Sequence, residues 1–220
     1  MMRTVVITEA QSSYLKEAND GGFSTQELDN LRTFAERVRY CRQHLGDPIG
    51  NGSSRMVFQI DDEKCLKLAK NGKGVAQNDV EMEYWKRDYD IFPKVFESDD
   101  DKAMWIICEY VLPARAADFK ACTGIDFKTF VKWMQKTFAR YNNYYYRYRN
   151  DVMSDDEYGN YLDNSEFLQE MADYLTNSDI ANHDMLRLTN WGLAKRDGGG
   201  CPVLLDHGLN DEVFKQYYSK

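Results

Sequence analysis

Apolar positions along the chain fall into stretches of different period. Leu28, Leu31, Phe34, Val38 and Cys41 recur at spacings of three and four, which predicts one amphipathic helix over 25–45. Ser24-Thr25-Gln26-Glu27 in front of it reads as a capping box. Residues 1–23 hold a short apolar stretch (Val5, Val6, Ile7), then polar residues and Gly21-Gly22, and read as a loosely attached arm. At Gly46-Asp47-Pro48 the period changes. Met56, Phe58 and Ile60 alternate, Asp61-Asp62-Glu63 makes a polar turn, and Cys65 to Ala69 returns, which predicts a hairpin. Asn71-Gly72-Lys73-Gly74 breaks it. Residues 75–88 then read as a helix with Val75, Val80, Tyr84 and Trp85 inward. Ile91 to Glu97 and Met104 to Tyr110 flank an acidic turn at 98–102 and predict a second hairpin. The order over 49–112 is therefore strand, strand, helix, strand, strand.

From about 126 the pattern is helical. Phe127, Phe130, Met134, Phe138, Tyr141, Tyr145 and Tyr148 step along one face. Ser154 to Asn164 is acidic and reads as turns. Ser165 to Leu175 reads as a helix with Phe167, Leu168, Met171 and Leu175 on one side. Residues 178–190 have no clear period. Trp191 to Ala194 and Val203 to Leu205 flank the glycine-rich turn 195–201 and predict a third hairpin, and 211–218 reads as a short helix.

Composition narrows the class. Hydrophobic residues at 43% and charged residues at 29% fit a globular chain with a proper core. No apolar run approaches the roughly 20 residues that span a bilayer, and the N-terminus lacks a signal-peptide core, so a cytoplasmic protein without membrane contact is expected. The net charge of -8 argues against a general nucleic-acid partner, which needs a basic face. The run from Tyr141 to Arg149 interleaves tyrosine with arginine, a pattern that stacks on bases. Against that charge it is expected to be a helix with Tyr141, Tyr145 and Tyr148 inward, its outer tyrosines or the N-terminal helix facing a protein partner. The five cysteines form no CxxC pair and are expected as reduced, mostly buried thiols.

Four constellations carry chemistry. Gly50-Asn51-Gly52 lies between extended segments, where glycine lets the backbone approach a phosphate; a plain turn has the same composition. Lys67 stands between Leu66 and Leu68 on a strand and points to the opposite face, which by itself is the pattern of a solvent-facing lysine. The next helix offers Glu81 and Glu83, and a Lys–Glu pair beneath a glycine turn would hold a triphosphate. Glu109-Tyr110-Val111 ends the fourth strand, where an adenine could bond to backbone groups. Asn190 and Asp206 flank the third hairpin, and an amide with a carboxylate can share a divalent ion; an Asp in a turn before glycine looks the same.

Taken in order, these elements resemble a protein kinase. The phrases VAQNDVEMEYW, WIICEYVLP and NWGLAKRDGGGCPVLLDHGL carry the resemblance, which covers roughly 46–210 and is similar to the small kinase-like proteins encoded by bacteriophages. It implies an α+β, bilobal fold: an arm and helix over 1–45, a small antiparallel β lobe over 46–112 and a reduced, mostly helical lobe over 113–220. It further implies ATP and Mg2+ as cofactors. Gly50 and Gly52 would lie over the phosphates, Lys67 would contact them, and Glu81 (or Glu83) would pair with Lys67. Glu109 and Val111 would supply hinge groups. Asn190 and Asp206 would hold magnesium, and Arg187 keeps the charge of a phosphate-facing lysine.

The sequence also departs from the family. The position of the catalytic base is Met185, which cannot accept a proton; Asp184, one residue earlier, is the candidate base. Arg55 replaces the third glycine of the loop. His207 replaces phenylalanine in the Asp-Phe-Gly motif and either titrates near the metal or packs in its place. Only about 12 residues follow Gly208, so an activation segment is not expected. Two expectations follow: an ATP- and Mg-dependent phosphotransferase with an unidentified acceptor, or a pseudokinase serving as a protein-binding or phage structural module, in the host cytoplasm or the particle.

Overall fold

A computed structural model describes residues 22–87, 89–141, 153–177, 185–196 and 199–218. The chain is α+β and divides into two compact units. One takes the chain up to Val75 together with Phe96–Tyr110; the other takes Ala76–Val95 and everything from Val111 onward.

The first unit is built on a five-stranded sheet in the order β1-β2-β3-β5-β4, with β1 at Gly50–Asn51, β2 at Arg55–Gln59, β3 at Lys64–Ala69, β4 at Val95–Ser98 and β5 at Trp105–Glu109. The pairs β1–β2, β2–β3 and β3–β5 are antiparallel. Alternation puts Met56, Phe58, Leu66, Leu68, Trp105 and Ile107 on one face, where they form a core with Leu28 and Cys41. Arg55, Val57, Cys65, Lys67, Ile106 and Cys108 therefore lie on the other face. Two helices, α1 (Thr25–Asn30) and α2 (Phe34–Leu45), bring Leu28 and Cys41 to this core. The Trp105 indole N–H donates to Asp29 Oδ1 at 2.6 Å and fastens α1 to the sheet.

The expected single helix over 25–45 is thus two. Leu31 is extended (φ -78°, ψ 133°), and Thr33 starts a new helix with a complete capping box on Glu36. The Arg37 guanidinium donates to the Leu31 carbonyl at 2.6 Å and satisfies the oxygen that the break exposes. At Ser24 only half of the expected box forms. Its hydroxyl accepts from the Glu27 N–H, while its own N–H donates to the Tyr40 hydroxyl at 2.7 Å. The hairpin β2–β3 stands where the alternation predicts. The short β1 ahead of it was not expected as a separate strand.

Helix α3 (Gly72–Trp85) begins earlier than its apolar pattern predicts, because the Asn71 side chain accepts from the N–H groups of Lys73 and Gly74 and caps it. The second unit adds α4 (Ala116–Thr123), α5 (Phe127–Tyr141), α6 (Asp155–Asp163), α7 (Glu166–Asn177), a 3-10 turn at Leu188–Asn190, the hairpin β6 (Trp191–Arg196) and β7 (Gly199–Leu204), and α8 (Asp211–Tyr217). Its core joins Phe119, Phe130 and Trp191 to Tyr84, Phe92 and Tyr174.

Three elements differ from the sequence pattern. The acidic stretch 154–164 is helix α6, not turns: Ser154 caps it, and Asp155, Asp156 and Glu157 fill the first turn, where the helix dipole favours them. Its Tyr158 stacks on Trp133 at 5.4 Å. Helix α4 was not foreseen, since Phe119 is its single fully buried large residue. The strand expected from Ile91 begins at Val95, because Ile91 and Phe92 belong to the second unit's core, where the Ile91 carbonyl accepts from Leu204 N–H at 2.8 Å. The arm at 1–21 and the tyrosine run beyond Tyr141 lie outside the described residues, as does Asp184.

Candidate nucleotide and metal-binding residues

In the first unit the glycine turn is closed by its own backbone. Ile49 N–H donates to the Val57 carbonyl at 2.9 Å and Gly52 N–H to that of Arg55 at 3.0 Å. Gly50 and Gly52 are not among the described glycines with positive φ. A Cβ would meet nothing closer than 3.4 Å at Gly50 and 3.7 Å at Gly52. The fold itself therefore does not require glycine at either position. Gly74 is different: a Cβ there would collide with the Ser54 carbonyl and lie 3.1 Å from Ala69. The turn is tied down from the end of β3. The Lys70 amide donates to the Ser54 carbonyl at 2.8 Å, and its ammonium reaches the Gly52 carbonyl at 2.5 Å and the Asn51 side chain. Sequence reasoning passed over Lys70; its place between the strand and the capping Asn71 was the available signal.

Lys67 sits on β3 opposite Val57 and Ile106 and is only 7% exposed. A solvent-facing lysine was the simplest expectation for its strand pattern. The structure buries it, and a buried ammonium is maintained only by polar and anionic partners. Arg55, in the third-glycine position, lies on the same sheet face and is 6% exposed. Glu109 closes β5 opposite Lys64, and the Tyr110 N–H that follows it donates to the Glu63 carbonyl at 2.7 Å.

In the second unit Val111 is buried against Ala194 and Val203. Gly192 is obligatory there, since a Cβ would lie 2.7 Å from Val111 Cγ1 and 2.9 Å from the Leu112 carbonyl. The two glutamates on α3 separate cleanly. Glu81 is 1% exposed, whereas Glu83 is a surface group paired with Arg87 at 2.5 Å. Met185 is fully buried and its carbonyl accepts from the Trp191 indole at 2.8 Å, so the residue at the family's base position is part of the core.

The same anchor sets the turn that follows. Arg187 is exposed, its carbonyl accepts from Asn190 N–H at 3.0 Å, and the Asn190 carbonyl accepts from Leu205 N–H at 2.8 Å. That last bond extends the β6–β7 ladder by one rung and brings Asn190 beside the strand end that leads into exposed Asp206. Both offer hard oxygen donors near water, which fits Mg2+. Among the described residues no group of three or more His, Cys, Asp or Glu side chains could hold a metal, so phosphates and water would have to complete the shell. His207 packs: its ring stacks on Phe92 at 4.2 Å, and Nδ1 lies 3.1 Å from the Leu204 carbonyl. Gly208 is required by α3, where a Cβ would meet the Gln77 carbonyl at 2.5 Å.

No protein-family model matches the sequence, and comparison with curated proteins finds no match. Among the described residues no helix is long and apolar enough to cross a membrane.

Proposed function

We propose that the chain is a kinase-like nucleotide-binding protein that takes ATP with Mg2+. The observation that carries this reading is Lys67, an ammonium buried on the third strand behind a turn whose two glycines the fold does not itself require. A close-approaching phosphate supplies the missing reason for glycine, and the lysine supplies its counter-charge. Along the chain the Lys67 strand is followed by the helix that carries Glu81, the order in which a kinase places its strand lysine and helix glutamate. Glu109 and Val111 are the hinge candidates for the adenine. Asn190 and Asp206 would hold Mg2+, which when bound neutralises phosphate charge. Arg187, which is exposed, would add a further phosphate-facing cation.

Thermal unfolding with and without ATP plus Mg2+ tests the proposal. Binding raises the midpoint in proportion to ligand excess over Kd. Lys67→Ala and Asp206→Ala are each expected to weaken affinity about tenfold or more, the size of a charge-assisted contact. A midpoint that stays put at millimolar ATP with Mg2+ removes the nucleotide reading.

Buried Met185 favours a second reading, a pseudokinase that binds nucleotide without transferring phosphate and serves as a protein-binding or phage structural module. On that reading ADP release stays at background, and Asp184→Asn changes nothing. Turnover that Asp184→Asn abolishes instead restores the phosphotransferase, with Asp184 as its base.

A further inference from the structure

On the sheet face that carries Lys67, two thiols meet. Cys65 on β3 and Cys108 on β5 are directly opposite each other in the antiparallel register. Their Sγ atoms are 3.5 Å apart, and the residues are 5% and 1% exposed. Cross-strand partners have Cα atoms about 4.5–5.5 Å apart, which lies inside the span of a disulfide. The ladder holds them there. Leu66↔Ile107 and Lys64↔Glu109 flank the pair. Beyond them Ala69 N–H donates to the Met104 carbonyl at 2.8 Å, and Tyr110 N–H to that of Glu63 at 2.7 Å. The ladder keeps the two residues opposite each other.

We propose that Cys65 and Cys108 are a peroxide-responsive dithiol that closes into a cross-strand disulfide. Cys65 is the less buried residue of the two, 5% exposed against 1%, and that opening suits a molecule as small as hydrogen peroxide. Its thiolate attacks one peroxide oxygen, the O–O bond breaks, and a sulfenic acid and one water form. The Cys108 thiolate then attacks the Cys65 sulfur, the S–O bond breaks, and a second water leaves. Two thiol hydrogens and two electrons pass to one peroxide, which becomes two waters. An external thiol reverses the step. Closure spans a sequence separation of 43 and replaces the Cys65 S–H that lies 3.8 Å from the Glu109 carbonyl. It fastens β3 to β5 at the end of the sheet where Glu109 sits.

The test uses the full, reduced chain. It is treated with hydrogen peroxide, its remaining thiols are alkylated under denaturing conditions, and the peptides are mapped by mass spectrometry. A cross-linked peptide containing Cys65 and Cys108, two hydrogens lighter than the reduced pair and cleaved by dithiothreitol, is expected. The oxidised chain is expected to unfold about 5 °C or more above the reduced one. Cys108→Ala should leave a sulfenic acid at Cys65 that dimedone traps, while Cys65→Ala should leave Cys108 reduced. Recovery of both Cys65 and Cys108 alkylated from a sample in which exposed Cys122 has oxidised overturns the proposal. So does a cross-link from either residue to another cysteine. The mapping on the unmodified sequence decides the matter even if a variant fails to fold.

Discussion

Gly208 and Gly159 are the same residue type under opposite constraints. At Gly208 a Cβ would stand 2.5 Å from the Gln77 carbonyl and 2.8 Å from its Cβ, because α3 packs directly on the backbone there. At Gly159, inside α6, it would meet nothing within 4 Å. Gly208→Ala is expected to destabilise the fold by about 2 kcal/mol or more in urea unfolding, as overpacking does. Gly159→Ala is expected to stabilise it by roughly 0.5–1 kcal/mol, the helix-propensity difference. The sequence singled out Gly208 for its motif but not for this reason, since the close approach comes from a helix far away in the chain. Lys67 shows the same split. Its strand position was legible and its burial was not, because alternation gives the face of a side chain and not what covers that face. Likewise the resemblance put Glu81 ahead of Glu83, and packing buries Glu81 and leaves Glu83 on the surface.

Elements were legible where their signals were periodic and local. The hairpins β2–β3 and β6–β7 and the helices α5, α7 and α8 stand where alternation and 3.6-residue spacing put them. The misread elements were those whose apolar face is narrow. Helix α4 offers Phe119 and little else, and α6 buries Tyr158 within a strongly acidic segment. The break between α1 and α2 was written in the sequence as Thr33-Phe34-Ala35-Glu36, a second capping box, but the apolar spacing runs straight across it. Thr33→Ala removes the hydroxyl that accepts from the Glu36 N–H and leaves the bond from its own backbone N–H to the Glu36 carboxylate, and is expected to cost about 1 kcal/mol of stability. Amide exchange checks its location: protection should fall at the first turn of α2 and stay unchanged in α1, which has its own cap at Ser24.

At the scale of the molecule, net charge and topology set the response to pH. The chain crosses between its two units at 75/76, 95/96 and 110/111, so local segments in sequence serve different cores. With a net charge of -8 its carboxylates dominate acid behaviour. Glu36 and Asp126 are held below their usual range, chiefly by backbone N–H donors of Thr33 and Thr129. Asp118 is held low chiefly by the Arg115 side chain. The stability these groups contribute is present above their ordinary values, 4.5 for Glu36 and 3.8 for Asp126 and Asp118, and fades as pH falls through their lowered values.

Glu170 runs the other way. Burial raises it from 4.5, although it accepts from Asp90 N–H at 2.9 Å. Its contribution is complete below 4.5 and is lost as pH rises through the raised value. Glu170→Gln keeps an oxygen acceptor and removes the titration. Near neutral pH it is expected to be more stable than the parent by less than about 1 kcal/mol, a gap limited by solvent screening. The gap should close on acidification below 4.5, read from urea unfolding at a series of pH values.

Sequence by itself determined the periodic elements, their order and the residue types of the candidate site, because side-chain period and turn chemistry are local properties of the chain. Tertiary structure decided which face of each element is covered. Burial depends on what arrives from elsewhere in the chain: the partners that enclose Lys67, the Gln77 backbone that forbids a side chain at Gly208, and the strand that sets Cys108 against Cys65. Those neighbours are remote in sequence, and no local pattern records them.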